Sequence, residues 1–495
     1  MGSWMKLLKI LLPGLFAAQL IATIQVCLSN AGLCRAFVAM REAGYLVVPN
    51  QHAMVHLREF GPAFFGGLFF TLTVGAGLSL LTFAAFWTWD RVFSRSRLSL
   101  GFFLILWVGC LASVNFKGFC PAAASYFLFV PPVVFAAALK WMPVQARQRT
   151  RSGELVHVIP LLVLALLWLP RAGGDVFLDI RDNLLMSNSF GTKISDFYYK
   201  YTLYPAEAFK SLDQKMIRTC NPDQLGKGPV ANLVKERLLR HDYLPISGYS
   251  KADLEISRKN GLLVFKNRGK AILQIPPKAF LSRSGHILRE FSLKTDRYLL
   301  FRKFVFLCLL TGSPIILYIV LRALFSLALT PLMNPWRTSA AASVLCFLTG
   351  GALLLLLYSG SGRAVDTGNL SEVMELENWK DRVAALKFIG RKGMEVSNFE
   401  SYKKMLKSPR VPERYWLAKA MSNSRKPEIG SALLALLNDP HRNVVCMAFY
   451  ALGERKDPGA AVEIIKRIES SDDWYSQQCA YRALRSLGWK QAKSK

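Results

Sequence analysis

The chain has 495 residues, 52% of them hydrophobic, with a mean hydropathy of +0.24. The apolar residues are gathered in runs, which excludes an ordinary water-soluble multidomain chain and points to a polytopic membrane protein with appended soluble parts. Lys and Arg number 63 against 33 Asp and Glu, a net charge of +30; no Arg-rich run interleaved with aromatics accompanies it, so the excess reads as attraction to anionic lipid headgroups, not to nucleic acid.

Seven runs approach the about 20 apolar residues that a membrane-crossing helix needs. They lie at 7–28, 62–89, 98–116, 121–142, 155–169, 304–328 and 339–358. Lys6 and Lys9 precede the first run, no small-x-small cleavage site follows it, and it reads as an uncleaved first helix. Basic residues in short loops face the cytoplasm. Lys6 and Lys9 therefore place the N-terminus there, in a plasma (bacterial inner) membrane. Arg91, Arg95 and Arg97 of the next basic loop agree, as do Lys140, Arg147, Arg149 and Arg151. The short loop at Lys117, residues 29–61, residues 171–300 and the C-terminal region then fall on the extracytoplasmic side. Arg302 and Lys303 sit at the outer end of the sixth helix, against the rule.

Residues 29–61 hold the one constellation suggestive of chemistry. His52 and His56 are spaced i, i+4, with Glu59 three residues on. On a regular helix both imidazoles share a face, as a metal pair or as a general base with its orienter would. A metal site needs a third ligand, so the pattern alone is weak and reads first as a solvated loop helix entering the second membrane run. His157 is the one His inside an apolar run, and a membrane di-haem site needs pairs. No carboxylate lies mid-helix in the seven runs, and no phosphate loop or nucleophile elbow occurs. No cofactor is expected. The nine Cys show no zinc or haem spacing; Cys308 and Cys346 read as small hydrophobes, and Cys27, Cys34 and Cys120 as candidates for a disulfide near one membrane face.

Residues 171–300 read as a small soluble α+β domain. "DVFLDIRDNLLMS" is amphipathic and follows the fifth helix directly, which suggests a helix along the membrane surface. Tyr198, Tyr199, Tyr201 and Tyr204 crowd the next segment. They suit a carbohydrate or peptide platform, an interfacial aromatic belt, or a helix packed on the core. "PVANLVKERLLR" predicts a helix. Asn260-Gly261 and Arg268-Gly269 predict turns in a short antiparallel sheet.

The two helices at 301–360 lead into a repetitive region over 365–495. Its units begin at Ala385, Leu417, Ala448 and Ala480, in steps of 32, 31 and 32 residues. Ile389, Met421, Leu452 and Leu484 continue each stripe. Small residues on the stripe let the next helix approach closely, and helix pairs too small to bury their own faces must stack. "LLALLNDPHRNVVCMAFYALGERKDPGAAVEII" resembles a HEAT repeat of the short bacterial type also found in phycobilisome-lyase proteins, over about 370–490. The resemblance implies an armadillo-type α-solenoid that binds proteins. It implies no lyase chemistry, since no catalytic residue of that kind is matched. The family's frequent Arg, three positions before each unit's start, is present as Arg382 and Arg414 but replaced by Val445 and Gln477.

The expectation is a mainly α, polytopic membrane protein with about seven transmembrane helices, a small α+β insert and a C-terminal solenoid. It serves as a multi-pass scaffold, more binding protein than enzyme, whose solenoid holds a protein partner. The alternative is a membrane-embedded enzyme or transporter subunit for lipid or glycan transfer. That reading rests on the helix count, on Pro131-Pro132 within the fourth helix, and on His52, His56 and Glu59.

Overall fold

The computed structural model describes residues 3–142, 159–168, 176–358 and 364–493. His157, Arg147, Arg149 and Arg151 lie outside the described residues. In chain order the long helices are α1 (Ser3–Glu42), α2 (Phe60–Arg91), α3 (Arg97–Val114), α4 (Pro121–Trp141) and the ten-residue α5 (Ile159–Trp168). Next come α6 (Ser189–Tyr201), α7 (Leu203–Phe209), β1 (Arg218–Gln224), α8 (Pro229–Arg240), β2 (Tyr243–Pro245), β3 (Leu254–Lys259), β4 (Leu262–Asn267), β5 (Lys270–Ile275) and α9 (Pro277–Thr295). The chain continues with α10 (Leu299–Leu329), α11 (Pro335–Tyr358), α12 (Leu370–Glu375), α13 (Trp379–Lys392), α14 (Val411–Met421), α15 (Pro427–Leu436), α16 (Arg442–Arg455), α17 (Ala460–Ser470) and α18 (Trp474–Ser486).

Six of these helices, among the described residues, are long and apolar enough to cross a membrane: α1, α2, α3, α4, α10 and α11. The run expected at 155–169 contributes only the ten described residues of α5. The first helix does not stop at residue 28. Residues 29–42 are rich in Ala, Leu, Met, Arg and Glu, all good helix formers, and α1 continues through them to Glu42.

The chain divides into two compact units. The first comprises Met1–Ala36, His56–Leu167 and Tyr201–Gly350; the second comprises Phe37–Val55, Trp168–Lys200 and Gly351–Lys495. The segment expected as one domain over 171–300 is thus shared between the two.

In the first unit, Ala18 and Ala22 of α1, Phe70, Val74 and Phe86 of α2, Tyr126, Val130 and Val134 of α4 and Phe301 of α10 form one apolar core. Small residues set the spacing, as is common where helices meet in apolar surroundings. A Cβ on Gly312 would lie 3.1 Å from Gly77 Cα. A π-turn at Thr71–Gly75 interrupts α2, where Thr71 Oγ1 donates to Gln19 Oε1 at 2.6 Å. Arg322 in α10 is fully buried; its Nε donates to Ser343 Oγ at 3.0 Å and its Nη2 to Ser339 Oγ at 3.0 Å.

The same unit carries a five-stranded sheet of order β2-β1-β3-β4-β5. Asn260-Gly261 and Arg268-Gly269 turn in the left-handed region between antiparallel β3, β4 and β5. The sheet is not purely antiparallel: β1 runs parallel to both β2 and β3. Helix α8 makes the crossover from β1 to β2 that a parallel pair requires. Cys220, Leu254, Ile256, Phe265, Phe280 and Phe291 fill the space between the sheet and its helices.

In the second unit, α13, α14, α16 and α18 stack in order, with shorter helices between them. Ala385, Ile389, Leu417, Met421, Ala448, Leu452, Ala480 and Leu484 are all at most 1% exposed. The helix starts are capped in the expected manner. Asn378 Oδ1 accepts from Lys380 N at 3.1 Å, and Asp473 Oδ2 accepts from Ser476 N at 3.2 Å. Gly393 ends α13 in the left-handed conformation at φ 67°. Each repeat is tied to the next by an Arg–carboxylate pair: Arg382 to Glu413, Arg414 to Asp439 at 2.6 Å, and Arg442 to Asp473 at 3.1 Å.

Helices α16 and α18 approach closely. A Cβ on Gly453 would lie 3.0 Å from Ala483 Cα, a backbone atom that cannot yield. Gly453→Leu should therefore lower solenoid stability by about 1–3 kcal/mol. Thermal unfolding of the purified full chain checks this; an unchanged midpoint would show that the helices part without cost.

A solenoid surface that holds its own chain

Two distant segments of the second unit pack on the stacked helices. The first is the stretch after α1. Asn50 Nδ2 donates to the carbonyls of Ile468, Glu469 and Ser471 at 2.8, 2.9 and 2.8 Å. These carbonyls belong to the C-terminal end of α17, where a helix leaves acceptors unpaired. Asn50 N donates to Gln477 Oε1 at 2.8 Å. Gln477 stands where the repeat family often has Arg, so this departure from the pattern supplies the acceptor. The Gln491 side chain closes the contact by bonding both the N–H and the carbonyl of Leu46, at 3.3 and 2.7 Å.

The second segment is residues 177–200. Asp182, with 3% of its side chain exposed, accepts from Trp416 Nε1 at 2.7 Å and pairs with Lys387 Nζ at 3.1 Å and Arg181 Nη2 at 2.7 Å. The Arg181 guanidinium lies 3.9 Å from the centre of the Tyr415 ring. Further along, Asn443 Nδ2 reaches Ser195 Oγ at 3.5 Å, and the Tyr199 ring lies 4.6 Å from that of Tyr475. Burial pushes both of these phenols above the usual tyrosine range. The amphipathic segment expected along a membrane surface is thus packed on protein. The physical reason is its buried carboxylate, which finds a cation and an indole N–H on the solenoid. Tyr199 serves this packing, while Tyr198 is exposed on the same helix.

His441 caps α16: its Nδ1 accepts from Asn443 N at 3.3 Å. Burial lowers its pKa below the ordinary His value, outweighing the attraction of Asp196 and Asp439; Arg414 and Arg442 add to the lowering. A depressed His pKa means that the folded state favours the neutral ring. That contribution is complete above about pH 6.5 and is lost as the pH falls toward the folded value.

A polar notch of about 310 Å³ opens over the C-terminal ends of α13, α14 and α16. Gly390, Lys419, Asn423, Arg425, Tyr450 and Glu454 line it. Tyr450 is 47% exposed.

The sequence candidates for chemistry are dispersed. His52 is exposed on a one-turn helix, Gln51–Met54, and His56 lies on the 3-10 turn Val55–Arg58 that follows. The regular i, i+4 geometry is therefore broken between them. His56 Nδ1 lies 3.0 Å from Glu59 Oε1, with both side chains more than 40% exposed, an ordinary surface pair. Among the described residues no three His, Cys, Asp or Glu side chains converge to hold a metal. Cys27, Cys34 and Cys120 are free thiols. The disulfide lies elsewhere: Cys446 on α16 is bonded to Cys479 on α18, with their Cα atoms 5.3 Å apart. Its sequence signal was available, since both Cys sit just before the repeating Ala of consecutive units.

Two measurements test these contacts. Asp182→Ala should cost about 1–3 kcal/mol by leaving the buried Trp416 indole N–H without its acceptor, and Lys387→Met added to it should cost little more; additive losses in thermal unfolding would show that the two charges act independently. Acidification from pH 7 to 5 should lower the solenoid's midpoint, and His441→Asn, which keeps a capping acceptor, should reduce that loss. An identical pH profile in the variant would remove His441 from the account.

The comparisons with known proteins agree with this geometry where they speak. No curated protein and no solved structure matches the chain. A family model for HEAT repeats matches residues 399–485, which run from just before α14 to the end of α18. The stacked helices of the second unit are, over those residues, HEAT repeats.

Proposed function

We propose that this protein is a multi-pass membrane scaffold whose HEAT solenoid recruits a protein partner. Six long apolar helices support the membrane reading. The observation that carries the interaction reading is the solenoid itself, a repeat type that works as a protein-binding scaffold, here already engaged with extended and helical segments of its own chain. Part of its surface is spent on those internal ligands. The notch at Lys419, Arg425, Tyr450 and Glu454 is an open polar concavity on the same solenoid, and Tyr and Arg are residue types that interface centres favour. The basic loop ends additionally hold the chain to anionic headgroups.

Affinity purification of the full chain from mild detergent tests the reading. Tyr450→Ala with Glu454→Arg should remove a stoichiometric protein partner while leaving the thermal midpoint unchanged. Equal recovery of that partner with wild type and variant would place the interaction elsewhere, and a wild-type chain that purifies without a stoichiometric protein would contradict the scaffold reading.

A further inference from the structure

We infer that the chain crosses the membrane seven times, changing sides once between Met142 and Phe177, and that the solenoid faces the oxidising, extracytoplasmic compartment, where its protein partner must also lie. The inference rests on the membrane reading proposed above and adds the number of crossings and the side.

Hydrogen bonds do not span a hydrocarbon core about 30 Å thick, so two bonded segments outside the core lie on one side, and the chain between them crosses an even number of times. Within the second unit, Asn50 and Asp182 both bond to the solenoid. Between Asn50 and Asp182 lie the long apolar helices α2, α3 and α4, which is an odd number, so one more crossing is required. Between Asp182 and its partner Trp416 lie α10 and α11, which is already even.

The first unit gives the same answer independently. Lys117 Nζ donates to Leu293 O at 2.9 Å. Only α4 among the long apolar helices separates them, so again one crossing is missing, and again it falls after Met142. The opposite rim is consistent without it: Arg95 Nη2 donates to Met142 O at 2.9 Å across α3 and α4. Lys9 Nζ lies 5.1 Å from the Trp141 ring across α1 to α4. The segment that must cross contains α5. A Cβ on Gly350, well inside α11, would lie 2.8 Å from Leu164 of α5, so α5 packs along the body of an apolar helix and not at its end.

Two unrelated signals then choose the side. By the same count of crossings, Lys6, Lys9, Arg91, Arg95, Arg97 and Lys140 fall on the side of the membrane opposite Asn50, whereas the short loop on Asn50's side has only Lys117. Positive loops stay cytoplasmic. Arg302, which opposed that rule in the sequence, is neutralised by Asp296 at 2.6 Å and donates to Phe209 O at 2.9 Å. The second signal is the Cys446–Cys479 bond joining neighbouring repeats. Disulfides persist outside the reducing cytosol. To form this one, the two thiols give two protons and two electrons to a disulfide donor of that compartment, which leaves as a dithiol.

Full-length chain in right-side-out membrane vesicles tests the inference with a membrane-impermeant maleimide, read against the parent's background. Asp472→Cys on the solenoid should label at once, and Ser96→Cys on the basic rim only after permeabilisation. Denaturing alkylation without reductant should leave Cys446 and Cys479 unmodified and their peptides joined. Labelling of both positions from one side would overturn the seven-crossing count. Labelling of Asp472→Cys only after permeabilisation, or alkylation of Cys446 and Cys479 as free thiols, would overturn the side. Release of the parent chain by alkaline carbonate would instead contradict the membrane reading itself.

Discussion

The carboxylate of Asp182 is the contact on which the second unit turns. It is almost wholly buried, and a buried charge is tolerated only when it is paired and hydrogen-bonded. Its partners come from two helices of the solenoid, Lys387 on α13 and Trp416 on α14, and from its own neighbour Arg181. This requirement draws a segment separated from the solenoid by two long apolar helices onto its surface. Once it is there, Ser195 and Tyr199 extend the contact to Asn443 and Tyr475 on the later repeats. The solenoid is therefore a body assembled from three stretches of chain, with its repeats stapled by Arg–carboxylate pairs and one disulfide.

Such an assembly constrains everything between the stretches. A chain that leaves the solenoid's surface after Asn50 must return to it by Asp182 and again by Leu370. For a soluble protein this would be a matter of loop length. For a chain threaded through a bilayer it becomes a rule about even numbers of crossings, and the internal contacts of the solenoid then carry topological information. On the topology proposed above, positive-charge bias and cysteine oxidation are separate physical effects, one electrostatic and one redox, that select the same face.

Local and long-range features differed sharply in how far they could be read beforehand. The repeat was legible because its signal is periodic: Ala448, Ala451 and Leu452 recur as Ala480, Ala483 and Leu484, and small residues at that spacing can only mean close helix stacking. The hairpins were legible from Asn260-Gly261 and Arg268-Gly269. The parallel pairing of β1 was not, because a crossover leaves no turn signal. Asn50 gave no warning, since its acceptors at 468–471 lie more than 400 positions away and any Asn in a loop looks alike. For His52 and His56, spacing implies a shared face only on a continuous α-helix, and the change to a 3-10 turn at Val55 is not written in that spacing. Arg322 stood in plain view inside an apolar run, but a search for membrane carboxylates passes over a cation whose Nε and Nη2 donate to Ser343 and Ser339.

Hydrogen–deuterium exchange on the full-length chain tests the central claim, that the solenoid holds segments of its own chain, most directly. The account predicts that the amides of residues 189–200 exchange as slowly as those of α14 and α16, and that Asp182→Ala accelerates exchange in 189–200 while leaving the interior of α18 protected. Exchange of residues 189–200 at the rate of a free peptide in the wild-type protein would contradict it.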